Sequence, residues 1–269
     1  MLDVPNSIVH WIIDFLSNRS QRIKLGDGYV SEWESVSSGV PQGTKLGPWL
    51  FLIMINDHVV ESARLWKYVD DTTISKTVAK GELSNVQSAT DRVVQWSLEN
   101  RVHLNTDDCK EMRISFTKSQ REFEPILING DALEVVDSVK FLGLNINSSD
   151  LTWNIHINEI VKKASKKLYF LVQLRRAKTT PTDLGLFYSS CFRSIMDYAV
   201  PAFHFNLPKY LMQELERAEK RAMSITCPGV SYHEALAKEL TTRHDQICES
   251  LFHMMIVNDN NHRLYKLLG

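Results

Sequence analysis

Between Asn147 and Thr152 the chain changes character, and that change limits its possible folds more than any other feature. Before it, short β-prone runs alternate with turn residues and a few helical stretches. After it, from Asn154 on, nearly every window carries apolar residues at helical spacing. The helical part is broken at Thr179-Thr180-Pro181, Leu207-Pro208 and Cys227-Pro228-Gly229. Mixed sequence followed by helical sequence predicts an α+β chain of two modules, residues 1–148 and 149–269.

Within the first module, Pro5 to Leu16 predicts a helix with Ile8, Val9, Ile12, Ile13 and Leu16 on one stripe. Gly26-Asp27-Gly28 predicts a hairpin between Gln21–Leu25 and Tyr29–Val36. Leu46 to Val60 predicts a mostly buried helix. Arg64–Val69 and Thr72–Val78 predict two strands, and Glu82–Asn100 an amphipathic helix with Leu83, Val86, Val93, Val94, Trp96 and Leu98 as apolar contacts. Further strands are expected at Glu111–Phe116, on either side of Asn129-Gly130, and at Val139–Ile146.

Composition excludes some classes. The net charge of −1 leaves no global field to attract nucleic acid, so any such surface must be local. No apolar run is long enough to span a bilayer, and no membrane partner is expected. The four cysteines are scattered without a CxxC pair, which suggests reduced thiols in an intracellular protein.

Two stretches carry chemistry. Asp70-Asp71 sits at a turn between two β-prone runs, where adjacent carboxylates repel and neither can be buried. A divalent cation removes that penalty, and Mg²⁺ prefers carboxylate oxygens while leaving positions for substrate phosphates. The alternative is a solvated Asp-Asp turn. Ser38-Gly39-Val40-Pro41-Gln42-Gly43 is a tight loop whose glycines permit close backbone approach to a ligand. Alone it is a common turn; its place before a helix and then the carboxylate strand gives it weight.

Taken in order, Ser38 to Pro48, Phe51, Asn56-Asp57 and Tyr68-Val69-Asp70-Asp71 resemble reverse transcriptases of non-LTR (LINE-type) retrotransposons. The likeness continues through Leu104-Asn105, Cys109-Lys110, Met112 and Phe141-Leu142-Gly143, the last resembling a primer-grip hairpin. Leu151-Thr152-Trp153, His156-Ile157, Tyr188, Tyr198, Leu207-Pro208, Arg217 to Arg221 and Tyr232 to Leu236 extend it almost to the end. The resemblance implies a right-hand polymerase palm followed by a helical thumb. It implies an RNA template, a DNA primer, deoxynucleoside triphosphates and two Mg²⁺ ions, with Mn²⁺ as a substitute. By the same resemblance Asp70 is a principal metal ligand, Asp71 a supporting carboxylate, and Gln42 and Gly43 contacts for the incoming nucleotide. Tyr68 would lie under the primer terminus, and Lys110 would serve the leaving pyrophosphate.

The departures set a second expectation. Enzymes of this kind carry another aspartate on an earlier strand, and neither Asp3 nor Asp14 has that context. The fingers and first catalytic strand are therefore expected to be missing, the site to lack its bridging ligand, and the chain to be inactive unless an N-terminal portion is supplied. A noncatalytic remnant that only binds nucleic acid is the competing expectation.

Two further clusters remain. Lys162, Lys163, Lys166 and Lys167 cover one face of the helix predicted from Asn154, opposite Ile157, Ile160, Val161, Ala164, Leu168 and Leu171. That face is either solvated or a track for nucleic-acid phosphates. Cys227, His233, His244 and Cys248 could form a metal knuckle, although their spacing is irregular.

Overall fold

The computed structural model describes residues 4–57, 63–115, 123–148, 152–231, 234 and 240–257. Its contacts divide the chain into two units, residues 1–109 with 123–133 and residues 110–122 with 134–269. The fold class is α+β.

In the first unit, helix α1 (Asn6–Leu16) follows Pro5, and none of its residues is buried. Strands β1 (Arg19–Gln21) and β2 (Glu34–Val36) pair antiparallel around the turn at Gly26–Gly28, as the glycines predict. Helix α2 (Leu46–Asn56) corrects an expectation: only Gly47 is buried, and Trp49 is 66% exposed. Its apolar content anticipates a covering layer that the described residues of this unit do not provide. The expected extension to Val60 lies outside the described residues.

Strands β3 (Arg64–Tyr68) and β4 (Asp71–Ser75) form an antiparallel hairpin. Helix α3 (Val86–Glu99) lays Ala89 and Val93 against Leu65 and Ile74 of that hairpin, with Ala63 and Leu104 at the margin. The helix starts at Val86, so Leu83 lies before it at 89% exposed and Leu98 points outward; both were expected to pack. Strands β6 (Leu127–Ile128) and β7 (Asp131–Ala132) close on Asn129 and Gly130, both at positive φ (55° and 92°), as a two-residue primed turn requires. The Gln87 amide bonds both the N–H (2.8 Å) and the C=O (2.9 Å) of Leu127, pinning this hairpin to α3.

In the second unit, β5 (Lys110–Glu111) pairs parallel with β8 (Glu134–Val135). The expected strand to Phe116 is thus shorter, and Phe116 itself lies outside the described residues. Val139–Ile146, expected as one strand, is a hairpin: β9 (Ser138–Phe141) and β10 (Leu144–Asn147) flank Leu142 (φ 46°) and Gly143 (φ 84°). Two consecutive left-handed residues reverse the chain where hydrophobicity alone reads through.

The helices follow. Helix α4 (Asn154–Arg176) buries Ile157, Ile160, Ala164, Leu168 and Leu171, the stripe the sequence predicts. Helix α5 (Pro181–Phe187) starts on a Thr180 cap, whose hydroxyl accepts from the Asp183 N–H at 3.2 Å. It runs through a wider π-helical stretch, Tyr188–Arg193, into α6 (Ser194–Met196). A kink at Ala199 (φ 53°) leads to α7 (Val200–Phe203). Helix α8 (Lys209–Thr226) packs along α4, and α9 (Leu240–Phe252) along α7 and α8. Their shared core includes Phe192, Met196, Phe203, Leu211, Leu215 and Leu240. Among the described residues, no helix is long and apolar enough to cross a membrane.

Candidate functional site

The carboxylate pair sits where local sequence places it. Tyr68 pairs with Asp71, so Val69 and Asp70 are the two residues of the β3–β4 turn. Val69 has φ 54°, a left-handed conformation that a β-branched residue adopts at a cost of about 1–3 kcal/mol. The strain is held because both flanks are fixed. On one face Leu65 and Ile74 pack on α3; beside the turn Lys67 donates to the Ile55 carbonyl of α2 at 2.7 Å. The Trp66 indole bonds the Ser75 hydroxyl at 3.1 Å. Side chains alternate across a hairpin, so Tyr68 and Asp71 share the face turned away from Leu65 and Ile74.

Asp70 and Asp71 are exposed, and among the described residues neither has an ion-pair or hydrogen-bond partner. Tyr68 is exposed as well. The donor set is hard oxygen on a preformed turn, which suits a small divalent cation. Among the described residues no three acidic, imidazole or thiol groups gather as a metal cluster.

In the same unit, the Gln42–Gly43 loop is built around Gly39 (φ 75°) and Gly43 (φ 76°). Arg19 donates to the carbonyls of Ser38 (3.1 Å) and Gly39 (2.6 Å), and the Thr44 hydroxyl to that of Pro41 (2.8 Å). A Cβ at buried Gly47 would lie 3.1 Å from the Pro41 oxygen, so helix α2 starts tight under the loop. Gln42 itself is exposed.

The second unit holds the remaining candidates. Lys110 lies on β5, its ammonium 2.6 Å from Glu134 of β8. Phe141, Leu142 and Gly143 form the end of the β9–β10 hairpin and are half-buried. Tyr198 lies over this turn: its hydroxyl donates to the Leu142 carbonyl at 2.7 Å, and a Cβ on Gly143 would meet its ring at 3.1 Å. Lys162, Lys163 and Lys166 are exposed on α4, Lys167 is half-buried, and Lys163 sits 3.6 Å from Glu159.

One constellation has no local sequence signal. Arg243 of α9 donates from Nε to both Asp197 oxygens (3.0 and 3.1 Å) and from Nη1 to Glu219 at 3.0 Å. Tyr188 donates to the same Glu219 oxygen, and Arg193 to Asp197 at 3.0 Å. His244 lies 3.4 Å from Asp197, and His204 bonds Asp245 at 2.8 Å. Burial would raise the Asp197 carboxyl, yet the bonds from His244 and Arg243 and the cationic charge hold it below the usual range. Burial also pushes the Tyr188 phenol up, with the Glu219 charge adding to it. Residues 197, 219 and 243 come together only in three dimensions. Glu219 gives one clue, since it falls on the apolar stripe of Leu211, Leu215, Ala218 and Ala222, where a charge needs a buried partner. His244 and Cys248 of the expected metal knuckle lie on α9, but His233 is outside the described residues.

The first unit thus holds a strained hairpin whose turn exposes two adjacent carboxylates, and a separate glycine-rich loop at the start of α2. Residues 2–146 match the model for reverse transcriptase (RNA-dependent DNA polymerase), over half of the chain, and the chain belongs to that family. Residues 153–194 also match the model for alkylated DNA repair protein alkB homolog 8, N-terminal. The chain is 27% identical over 168 residues to the RNA-directed DNA polymerase from mobile element jockey of Drosophila melanogaster, covering 58% of this chain and 18% of that protein. The jockey polymerase of Drosophila funebris is 28% identical, covering 50% and 16%. A probable RNA-directed DNA polymerase from transposon X-element of Drosophila melanogaster is 22% identical, covering 59% and 18%. These are non-LTR, LINE-type elements, as the sequence motifs indicate. The matched stretch spans less than a fifth of each relative's length. No solved structure matches the chain significantly.

Proposed function

We propose that the chain carries the metal-binding hairpin of an RNA-directed DNA polymerase that extends a DNA primer on an RNA template. The observation that carries the reading is the pair Asp70 and Asp71, exposed and unpartnered among the described residues at a strained turn. When bound, two Mg²⁺ ions (or Mn²⁺) would polarise the nucleotide phosphates and favour ionisation of the primer 3′-hydroxyl. On this reading Asp70 is the principal ligand and Asp71 the supporting one. Gln42 and Gly43 contact the nucleotide, Tyr68 lies beneath the primer end, and Phe141-Leu142-Gly143 borders the primer strand. Lys110 serves the leaving pyrophosphate once released from Glu134. The first unit then acts as palm and the helices as thumb, with Lys162, Lys163, Lys166 and Lys167 against phosphates.

The resemblance implies a third carboxylate that bridges the two ions, and the described residues gather no larger cluster around the pair. The reading takes that carboxylate from another polypeptide, so the purified chain alone is expected to be inactive. Primer extension on RNA with Mg²⁺ tests this. The chain alone should give no product; mixed with the N-terminal portion of the matched jockey polymerase, itself inactive, it should extend, and Asp70→Asn should abolish extension. Extension by the chain alone would overturn the need for an added ligand. Extension that survives Asp70→Asn and Asp71→Asn would overturn the site.

A further inference from the structure

Helix α4 carries six lysines and arginines against a single glutamate, so its exposed face is strongly positive in a chain whose net charge is −1. That face is not purely ionic. Lys162, Lys166, Tyr169, Gln173 and Arg176 recur at steps of four, three, four and three, which places them on one stripe. Lys163, Lys166 and Phe170 line its edge at the same spacing. Tyr169 is 62% exposed and Phe170 53%, their rings 5.5 Å apart and steeply inclined. Large rings left in water on the outward side of a helix whose inward side is fully packed add nothing to this unit's core.

The cations on the stripe are available. Among the described residues Lys162, Lys166 and Arg176 have no ion-pair partner, and Lys163 has only the long contact to Glu159 at 3.6 Å. From Lys162 to Arg176 the strip is about 21 Å long at the rise of an α-helix. Beside Arg176 a concavity of about 340 Å³ opens, lined by Val172, Arg175, Arg176 and Ile225, apolar at its wall and cationic at its rim.

We infer that this face is a track for single-stranded nucleic acid, in which Tyr169 and Phe170 stack on unpaired bases while Lys162, Lys163, Lys166 and Arg176 hold the phosphates. A duplex keeps its bases stacked on one another and offers only phosphates to such a surface. A single strand offers both phosphates and ring faces, and the strip supplies partners for both. The inference rests on the chain being a template-handling domain but goes beyond it, since the track would hold template not yet paired.

Fluorescence anisotropy of labelled single-stranded RNA and of a duplex, each titrated with the full chain over a salt series, tests it. Tyr169→Ala with Phe170→Ala should weaken single-strand binding about tenfold or more while leaving its salt slope and the duplex affinity unchanged. Lys162→Gln, Lys163→Gln and Lys166→Gln together should flatten the salt slope for both. Tyr169→Phe and Phe170→Tyr keep the rings and should bind as the parent does, which separates lost stacking from lost fold. Unchanged single-strand affinity in the alanine variant, or an equal loss for duplex, would overturn the track. Primer extension takes no part in this assay, so a failed track and a failed polymerase reading are told apart.

Discussion

Replacing Arg243 by Met should cost the helical unit about 3–5 kcal/mol, because it strands a buried carboxylate. Arg243 is 5% exposed and Glu219 fully buried. Asp197 would keep Arg193 at 3.0 Å and His244 at 3.4 Å, so its loss is partial. Among the described residues Glu219 would keep only the Tyr188 hydroxyl, a neutral donor, and its charge would be uncompensated. Against a domain stability of about 5–15 kcal/mol that is a large share. Adding Glu219→Gln removes the charge yet preserves an acceptor for Tyr188, so the double variant should regain about 1–3 kcal/mol. Urea unfolding followed by helical circular dichroism at neutral pH measures all three proteins. A single variant within about 1 kcal/mol of the parent, or a double variant no better than the single, would refute the argument that the network acts as a buried unit. The same network sets an acid limit. Asp197 ionises more readily folded than unfolded, so its contribution is complete above an unfolded carboxyl pKa of about 3.9 and is lost as pH falls through the lower folded value.

Two other sites in this unit give predictions of different origin. Gly143→Ala should destabilise by about 1–3 kcal/mol in the same urea assay, since φ 84° strains any side chain and the added Cβ would press on Tyr198 at 3.1 Å. His156 is almost fully buried, and desolvation, opposed by Glu159 and helped by Lys163, holds its pKa below the usual value. The unfolded chain then binds the proton more readily, so stability should fall as pH drops from about 6.5 towards the folded pKa, and His156→Phe should flatten that slope between pH 7 and 5.

What the sequence made legible was local. The β3–β4 hairpin, the Asn129-Gly130 turn, the α4 stripe and the three helix breaks all follow from residues within a few positions of one another. Two features were not readable in that way. Leu46 to Asn56 is apolar whether or not a neighbour covers it, so periodicity could not distinguish a buried α2 from the exposed one observed. The Tyr188–Glu219–Arg243–Asp197 network joins three segments of the chain, around 188–197, 219 and 243, and three of its members resemble ordinary surface charges one at a time. Tyr188 and Arg193 also lie in a π-helical stretch, whose extra residue per turn shifts the facing of the side chains away from the α-helical wheel.

The two units are held in different ways, and that bears on the carboxylate turn. The helical unit buries large side chains such as Phe192, Phe203 and Leu215 completely. Among the described residues the first unit buries only Ala89, Val93 and Ile128 as apolar side chains, while Trp11, Ile13, Trp49 and Ile53 stand in water. Each such side chain would stabilise a covered state by about 1.5–3 kcal/mol. The turn bearing Asp70 and Asp71 is tied through Lys67 to the last carbonyls of α2, a helix whose Trp49 and Ile53 are uncovered. Any apolar surface that covered α2 would therefore also fix the turn end of the hairpin. Covering the helix would in this way steady the Asp70-Asp71 turn, which links the strain at Val69 to a helix that shares no residue with that turn.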